Sequence, residues 1–120
     1  MKEQLNLSGE WAYQEDYGSG VSKGTLKLTH QGDVINGTFY LEENTEGETP
    51  FKLEEEVRGK IEDNKLYLNG ISYTITDNPS EEEFDYFLDN WEGQIMSNDL
   101  IVGEAEDEQG VLGIFSLRRI

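Results

Sequence analysis

FKLEEEVRGKIE, residues 51–62, carries the pattern on which the fold turns. Phe51, Leu53, Val57 and Ile61 hold one parity, and Lys52, Glu54, Glu56, Arg58, Lys60 and Glu62 hold the other. A period of two with one apolar and one charged side belongs to a strand with a dry face and a wet face, whereas a helix would space its apolar residues three or four apart. One residue breaks the pattern: Glu55 stands on the dry parity, between Leu53 and Val57.

The unit recurs. VRGKIEDNKLYL from Val57 aligns with WEGQIMSNDLIV from Trp91 at an offset of 34 (91 − 57), matching Gly59 with Gly93, Ile61 with Ile95, Asn64 with Asn98 and Leu66 with Leu100. With apolar residues at spacing two, the repeated unit is a hairpin. Extended along the chain, the reading gives eight strands near residues 7–14, 22–30, 34–42, 51–62, 65–76, 86–97, 99–107 and 111–119. Short joins at Gln31-Gly32-Asp33, Asp63-Asn64, Asn98 and Glu108-Gln109-Gly110 carry turn-forming residues, which implies sequential antiparallel pairing. The expected fold is all-β: one eight-stranded antiparallel up-and-down β-barrel domain over residues 1–120. Gly24, Gly37, Gly59, Gly93, Gly103 and Gly113 are candidates for bends that close the sheet.

Two places are irregular. In LNGIS, residues 68–72, the apolar parity shifts from Leu66 and Leu68 to Ile71, Tyr73 and Ile75. A bulge within one long strand or a two-residue hairpin turn would each produce this; the bulge is favoured, because the preceding strand needs a partner of matching length. In NPSEEEFDYF, residues 78–87, Ser80 and Glu83 form a capping-box pattern, which predicts a short helical turn near residues 80–85 over one mouth of the barrel.

Composition narrows the function classes. Twenty-six acidic against nine basic side chains give a formal charge of −17, a field that repels nucleic-acid phosphates and anionic membranes. Cation or basic-partner binding is compatible with that charge, as is plain solubility. The absence of cysteine excludes disulfides, thiol catalysis and zinc–thiolate sites. MKEQLNL has no apolar run of signal-peptide length, so the sequence as written is expected to be cytoplasmic; an exported protein with its signal removed would look the same.

LSGEWAY, residues 7–13, places Gly9-Glu10-Trp11 on the first strand, and Arg118-Arg119 ends the last. Together with the eight-stranded meander, these residues resemble the calycin superfamily of lipocalin-like and streptavidin-like barrels. The resemblance implies that Gly9 and Trp11 lie at the closed end, with Trp11 covered by Arg118 or Arg119, a structural role. The sequence departs from streptavidin-like biotin sites, which use several Trp, in having only Trp11 and Trp91, so biotin binding is not expected.

Candidate ligand-binding residues follow from inward parity. Glu55 and Asp89, equivalent in the repeat, would be costly inside a barrel unless paired or hydrated, so they suggest a wet cavity. The alternative places both at a solvated rim. His30, Tyr40 and Thr38 could add a polar wall, and Tyr13, Tyr73, Phe51 and Trp91 aromatic area suited to a small amphipathic or cationic ligand. His30 has no partnered Ser or Cys that would make a hydrolase triad, and Glu55 with Asp89 is a weak case for a glycosidase pair. GEAEDEQG, residues 103–110, lacks the loop pattern of a calcium-binding EF-hand. No cofactor or metal site is expected.

Strands seven and eight are apolar on both parities, so Leu112 and Ile114 should be covered, most simply by a second copy of the chain in a homodimer. The expected function is non-enzymatic binding of a small molecule inside the barrel, the ligand being unknown. The alternative is a protein–protein interaction module with a packed interior that binds through strands seven and eight.

Overall fold

The computed structural model describes residues 6–82 and 85–120. Its strands are β1 (Gly9–Asp16), β2 (Gly20–Gln31), β3 (Val34–Thr45), β4 (Phe51–Glu62), β5 (Lys65–Asp77), β6 (Asp89–Ser97), β7 (Leu100–Asp107) and β8 (Leu112–Arg119). Each pairs antiparallel with the next, and β1 pairs with β8 from Trp11↔Arg119 to Asp16↔Ile114, so the sheet closes into a barrel. Closure removes most of the free edge that a sheet of this size would otherwise expose.

The turns follow their local chemistry. Asp63 and Asn64 adopt φ of 51° and 62°, the left-handed pair that a two-residue hairpin needs, and Asp and Asn are among the few residues that tolerate it. The parity shift at LNGIS is a bulge within one strand: Val57 pairs with Gly70 and Glu56 with Ser72, leaving Ile71 without an opposite residue.

The same bulge marks where the wall opens. β5 pairs with β6 only from Lys65 to Asn69, so its outer half, Gly70–Asp77, leaves β6 and continues with β4 alone. Of the described residues after β5, Tyr86 lies on this side of the barrel, 5.2 Å from the Tyr73 ring. Pro79 and Ser80 form a turn, and no helix occurs among the described residues; the capping-box partner Glu83 lies outside them. Competing short-range bonds account for the turn: the Asn78 side chain donates to the Glu82 carbonyl at 2.8 Å, and Ser80 Oγ donates to Asn78 Oδ1 at 2.7 Å. The sixth strand accordingly starts at Asp89, three residues later than the sequence pattern suggested.

Alternating inward residues fill the lower and middle barrel with Leu7, Trp11, Leu26, Ile35, Phe39, Leu66, Leu68, Trp91, Ile101 and Leu117, all buried. Phe39 stacks on Trp91 at 4.6 Å between centroids and meets Tyr13 edge-on at 4.8 Å. At the closed end Trp11 is fully buried and donates from Nε1 to the Leu7 carbonyl at 3.0 Å. The Arg119 guanidinium lies 4.4 Å from the Trp11 ring and donates to the carbonyls of Asn98, Ser8 and Asn6 at 2.9, 2.9 and 3.0 Å. Arg119 therefore covers Trp11, while Arg118 is exposed on the outward parity.

Candidate functional site

At the opposite end the barrel opens into a cup of about 640 Å³, within the range of small-molecule sites. Glu15, Glu43, Asp89 and Asp107 bring carboxyl groups to it, and Tyr17, Phe51, Tyr86 and Phe87 bring aromatic surface. Phe51 continues the inward parity of β4, and Glu15 and Glu43 continue those of β1 and β3 beyond Tyr13 and Leu41.

Beneath the cup, Glu55 is 0% exposed. Its Oε2 accepts the Asp89 backbone N–H at 3.0 Å. The Tyr86 hydroxyl lies 2.7 Å from Asp89 Oδ2 and 3.1 Å from Glu55 Oε1. A single phenolic proton cannot serve both oxygens, so the chain is complete when Glu55 keeps its own proton and Tyr86 donates to Asp89. Burial raises the Glu55 carboxyl well above its ordinary range, and the Asp89 charge raises it further. Asp89 is also raised, chiefly by burial. Gly70 makes the arrangement possible, since a Cβ there would collide with Glu55 Oε2.

A second chain of polar groups joins the core to the cup. Trp91 Nε1 donates to Tyr13 Oη at 2.9 Å, and Tyr13 Oη donates to Glu15 Oε1 at 2.6 Å. Burial pushes Glu15 up to about 7, and the Asp89 and Asp107 charges add to that rise while the Tyr13 hydrogen bond opposes it. Gly113 on β8 leaves the space that the Glu15 carboxyl occupies. Across the cup, Tyr17 Oη donates to Glu43 Oε2 at 3.2 Å. Burial likewise raises Glu43 to about 7.

The structure thus brings together Glu55, Asp89 and Phe51, and seats Tyr73 beside them, 38% exposed and 5.2 Å from the Tyr86 ring. Trp91 lies lower, buried in the core against Phe39. Tyr40 and His30 are elsewhere. Tyr40 alternates with inward Phe39 and Leu41, so it points outward, under the Lys27 ammonium at 5.5 Å and beside a shallow outer concavity at the Gly24 bend. Thr38 shares that outward parity. His30 has inward parity but lies at the closed end, where Nδ1 accepts the Leu7 N–H at 3.1 Å. Glu15, Glu43 and Tyr86 were missed by sequence reasoning. Extending the β1 and β3 parities by two residues would have found the glutamates; Tyr86 lies in an irregular segment whose path no parity fixes.

The architecture is that of a small closed β-barrel with one packed end and one open end. Among solved structures it is similar to a redesigned beta barrel, mFAP1, bound to DFHBI (14% identity, 94% of each chain, TM-score 0.65). It is similar also to a redesigned beta barrel, mFAP0, bound to DFHBI (17% identity, 97% of this chain and all of that one, TM-score 0.62). A de novo designed fluorescence-activating beta barrel matches over the whole of both chains at 14% identity and a TM-score of 0.63. At these identities the likeness is one of fold. No protein-family model and no curated protein matches the sequence.

Proposed function

We propose that the protein is a non-enzymatic binder of a small amphipathic molecule, held in the cup at the open end. The observation that carries this reading is the cup itself: about 640 Å³ of concave space between the carboxyls of Glu15, Glu43 and Asp89 and the rings of Phe51 and Tyr86, above a packed core. Similar barrels bind DFHBI, so the fold accommodates an organic ligand. The floor, with Gly9, Trp11 and Arg119 in contact, supports kinship in plan with the calycins. Native mass spectrometry of the purified protein should show a retained small molecule. Amide chemical-shift changes on titration with benzylammonium, benzyl alcohol and benzoate should cluster at residues 15–17, 43–51 and 85–89. Absence of both an adduct and any such shift would overturn the reading.

A second surface supports the interaction reading. Leu112 and Ile114 are 59% and 72% exposed on the outside of β8, and a second copy of the chain is the partner proposed for them.

A further inference from the structure

The cup gathers acids, with no counter-cation among the described residues. None of its lining residues is basic. The ion pairs among the described residues lie elsewhere, joining Lys27 to Glu10, Lys60 to Glu62, Lys65 to Glu92 and Arg119 to Asp99. Among the described residues no three acids or histidines stand close enough together to hold a metal ion.

An independent observation lies in the same layer. Ser22 on β2 is directly opposite Glu15 on β1 and Glu43 on β3, so the three side chains form one cross-strand row on the inner face. Ser22 is 1% exposed, and its Oγ has no hydrogen-bond partner. The hydroxyl is near enough to Glu43 to offset part of its rise, but the two do not form a well-aligned hydrogen bond. A buried hydroxyl left unpaired costs about 1–3 kcal/mol, a penalty that an incoming donor would relieve. The described hydrogen bonds occupy Oε1 of Glu15, from Tyr13, and Oε2 of Glu43, from Tyr17. The second oxygen of each carboxyl accepts none of the described hydrogen bonds, and that of Glu15 lies against Gly113 on β8. Two carboxylate oxygens and one hydroxyl oxygen match a primary ammonium, which has three N–H donors and no acceptor.

We propose that the ligand is a primary ammonium compound with a small apolar body, its charged head among Glu15, Glu43 and Ser22 and its body against Phe51 and Tyr86. This rests on the small-molecule reading above. The head takes the place of protons. Glu15 and Glu43 titrate near pH 7 because they are buried. The described titratable groups around them are Tyr13 on β1 and Tyr17 just after it, Glu48 between β3 and β4, Glu55 on β4, Asp89 on β6, Asp107 on β7, and Glu82, Asp85 and Tyr86 between β5 and β6. All are acidic or phenolic, so no described residue of the cup competes with the ligand as a cation. Below pH 7 the two glutamates hold protons that an ammonium must displace, and binding weakens.

The test is calorimetric titration with benzylammonium, benzyl alcohol and benzoate at pH 8.0 and 5.5, with calcium chloride as a metal control. At pH 8.0 benzylammonium should bind about tenfold or more tightly than benzyl alcohol, with little benzoate binding; that ratio should shrink about tenfold at pH 5.5. Glu15→Gln with Glu43→Gln should bring the ratio close to one. Ser22→Ala removes a hydroxyl that has no well-aligned partner, so the barrel should still fold and benzylammonium affinity should fall severalfold. Benzyl alcohol binding as tightly as benzylammonium, or calcium displacing it from the cup, would overturn the ammonium assignment and leave the binding reading standing. Failure of all three organic probes would overturn both.

Discussion

The two ends of the barrel handle charge in opposite ways. At the closed end one cation, Arg119, lies over Trp11 and donates to three carbonyls from two segments, the stretch before β1 and the β6–β7 turn. At the open end Glu15, Glu43, Glu55 and Asp89 crowd together with only hydroxyl and amide donors between them. Satisfied polar groups over a buried ring make a stable seal, whereas buried carboxyls without a cation remain neutral or await one. One end is built to hold the fold and the other departs from the most stable arrangement, as binding sites commonly do.

If that contrast is right, the largest loss of stability comes from the floor. Trp11→Ala should lower the unfolding free energy by about 3–5 kcal/mol, because it empties a fully buried site and removes the surface under Arg119. Urea denaturation followed by far-UV circular dichroism would measure it. A loss under about 1 kcal/mol would mean that the floor is not the seal.

The mouth should show its character through pH. Glu15 and Glu43 have folded values near 7 against an ordinary 4.5, so between those values the folded state binds more protons than the unfolded one. Their contribution is fully present below pH 4.5 and is lost as pH rises through 7. The Glu55–Asp89 pair, also raised, acts in the same direction. Stability should therefore fall by about 2–5 kcal/mol between pH 5 and 8, after allowance for partial hydration of Glu15. Glu15→Gln with Glu43→Gln should reduce that slope, leaving the part due to the Glu55–Asp89 pair. A wild-type midpoint that rises over this interval would reverse the contrast between the ends.

Tyr86→Phe sharpens the comparison at a smaller scale. It removes the one hydroxyl joining Glu55 to Asp89 while keeping the ring against Phe51 and Tyr73. The expected loss is about 1–2 kcal/mol at pH 7, measured by chemical denaturation, with the Asp89 carboxyl moving further up in a carbon-13 titration. An unchanged Asp89 titration would show that the hydroxyl does not hold that charge.

How much of this was legible in the sequence depended on whether strand parity reached the residue. Parity placed Glu55 inside, and the repeat placed Asp89 in a matching position; the two meet through the Asp89 amide. The Gly-x-Trp and terminal Arg pointed to the floor, but which arginine covers Trp11 was settled by the pairing of Trp11 with Arg119. Tyr40 was misplaced against its own parity, and His30 was placed by parity without regard to which end it occupied. Height along the barrel depends on stagger between strands, which a single strand's pattern does not encode. Tyr86 was out of reach for another reason: it enters the site only because β5 separates from β6 beyond Asn69.

The smallest effect concerns the outer side of the open end, where Leu112 and Ile114 are exposed. Leu112 lies opposite Glu106, and Ile114 lies between Glu104 and Asp16. A second copy docking there would bury apolar area and also bring these like charges together, so the association should strengthen as salt screens them. Leu112→Ser with Ile114→Ser should change unfolding free energy by no more than about 0.5 kcal/mol, because neither side chain packs in the core. In sedimentation velocity the same change should convert a salt-strengthened dimer to monomer. A wild-type chain that stays monomeric at high concentration in both low and high salt would remove the second copy as the partner of this face. The contrast between the two ends would be untouched, since it rests on inward residues alone.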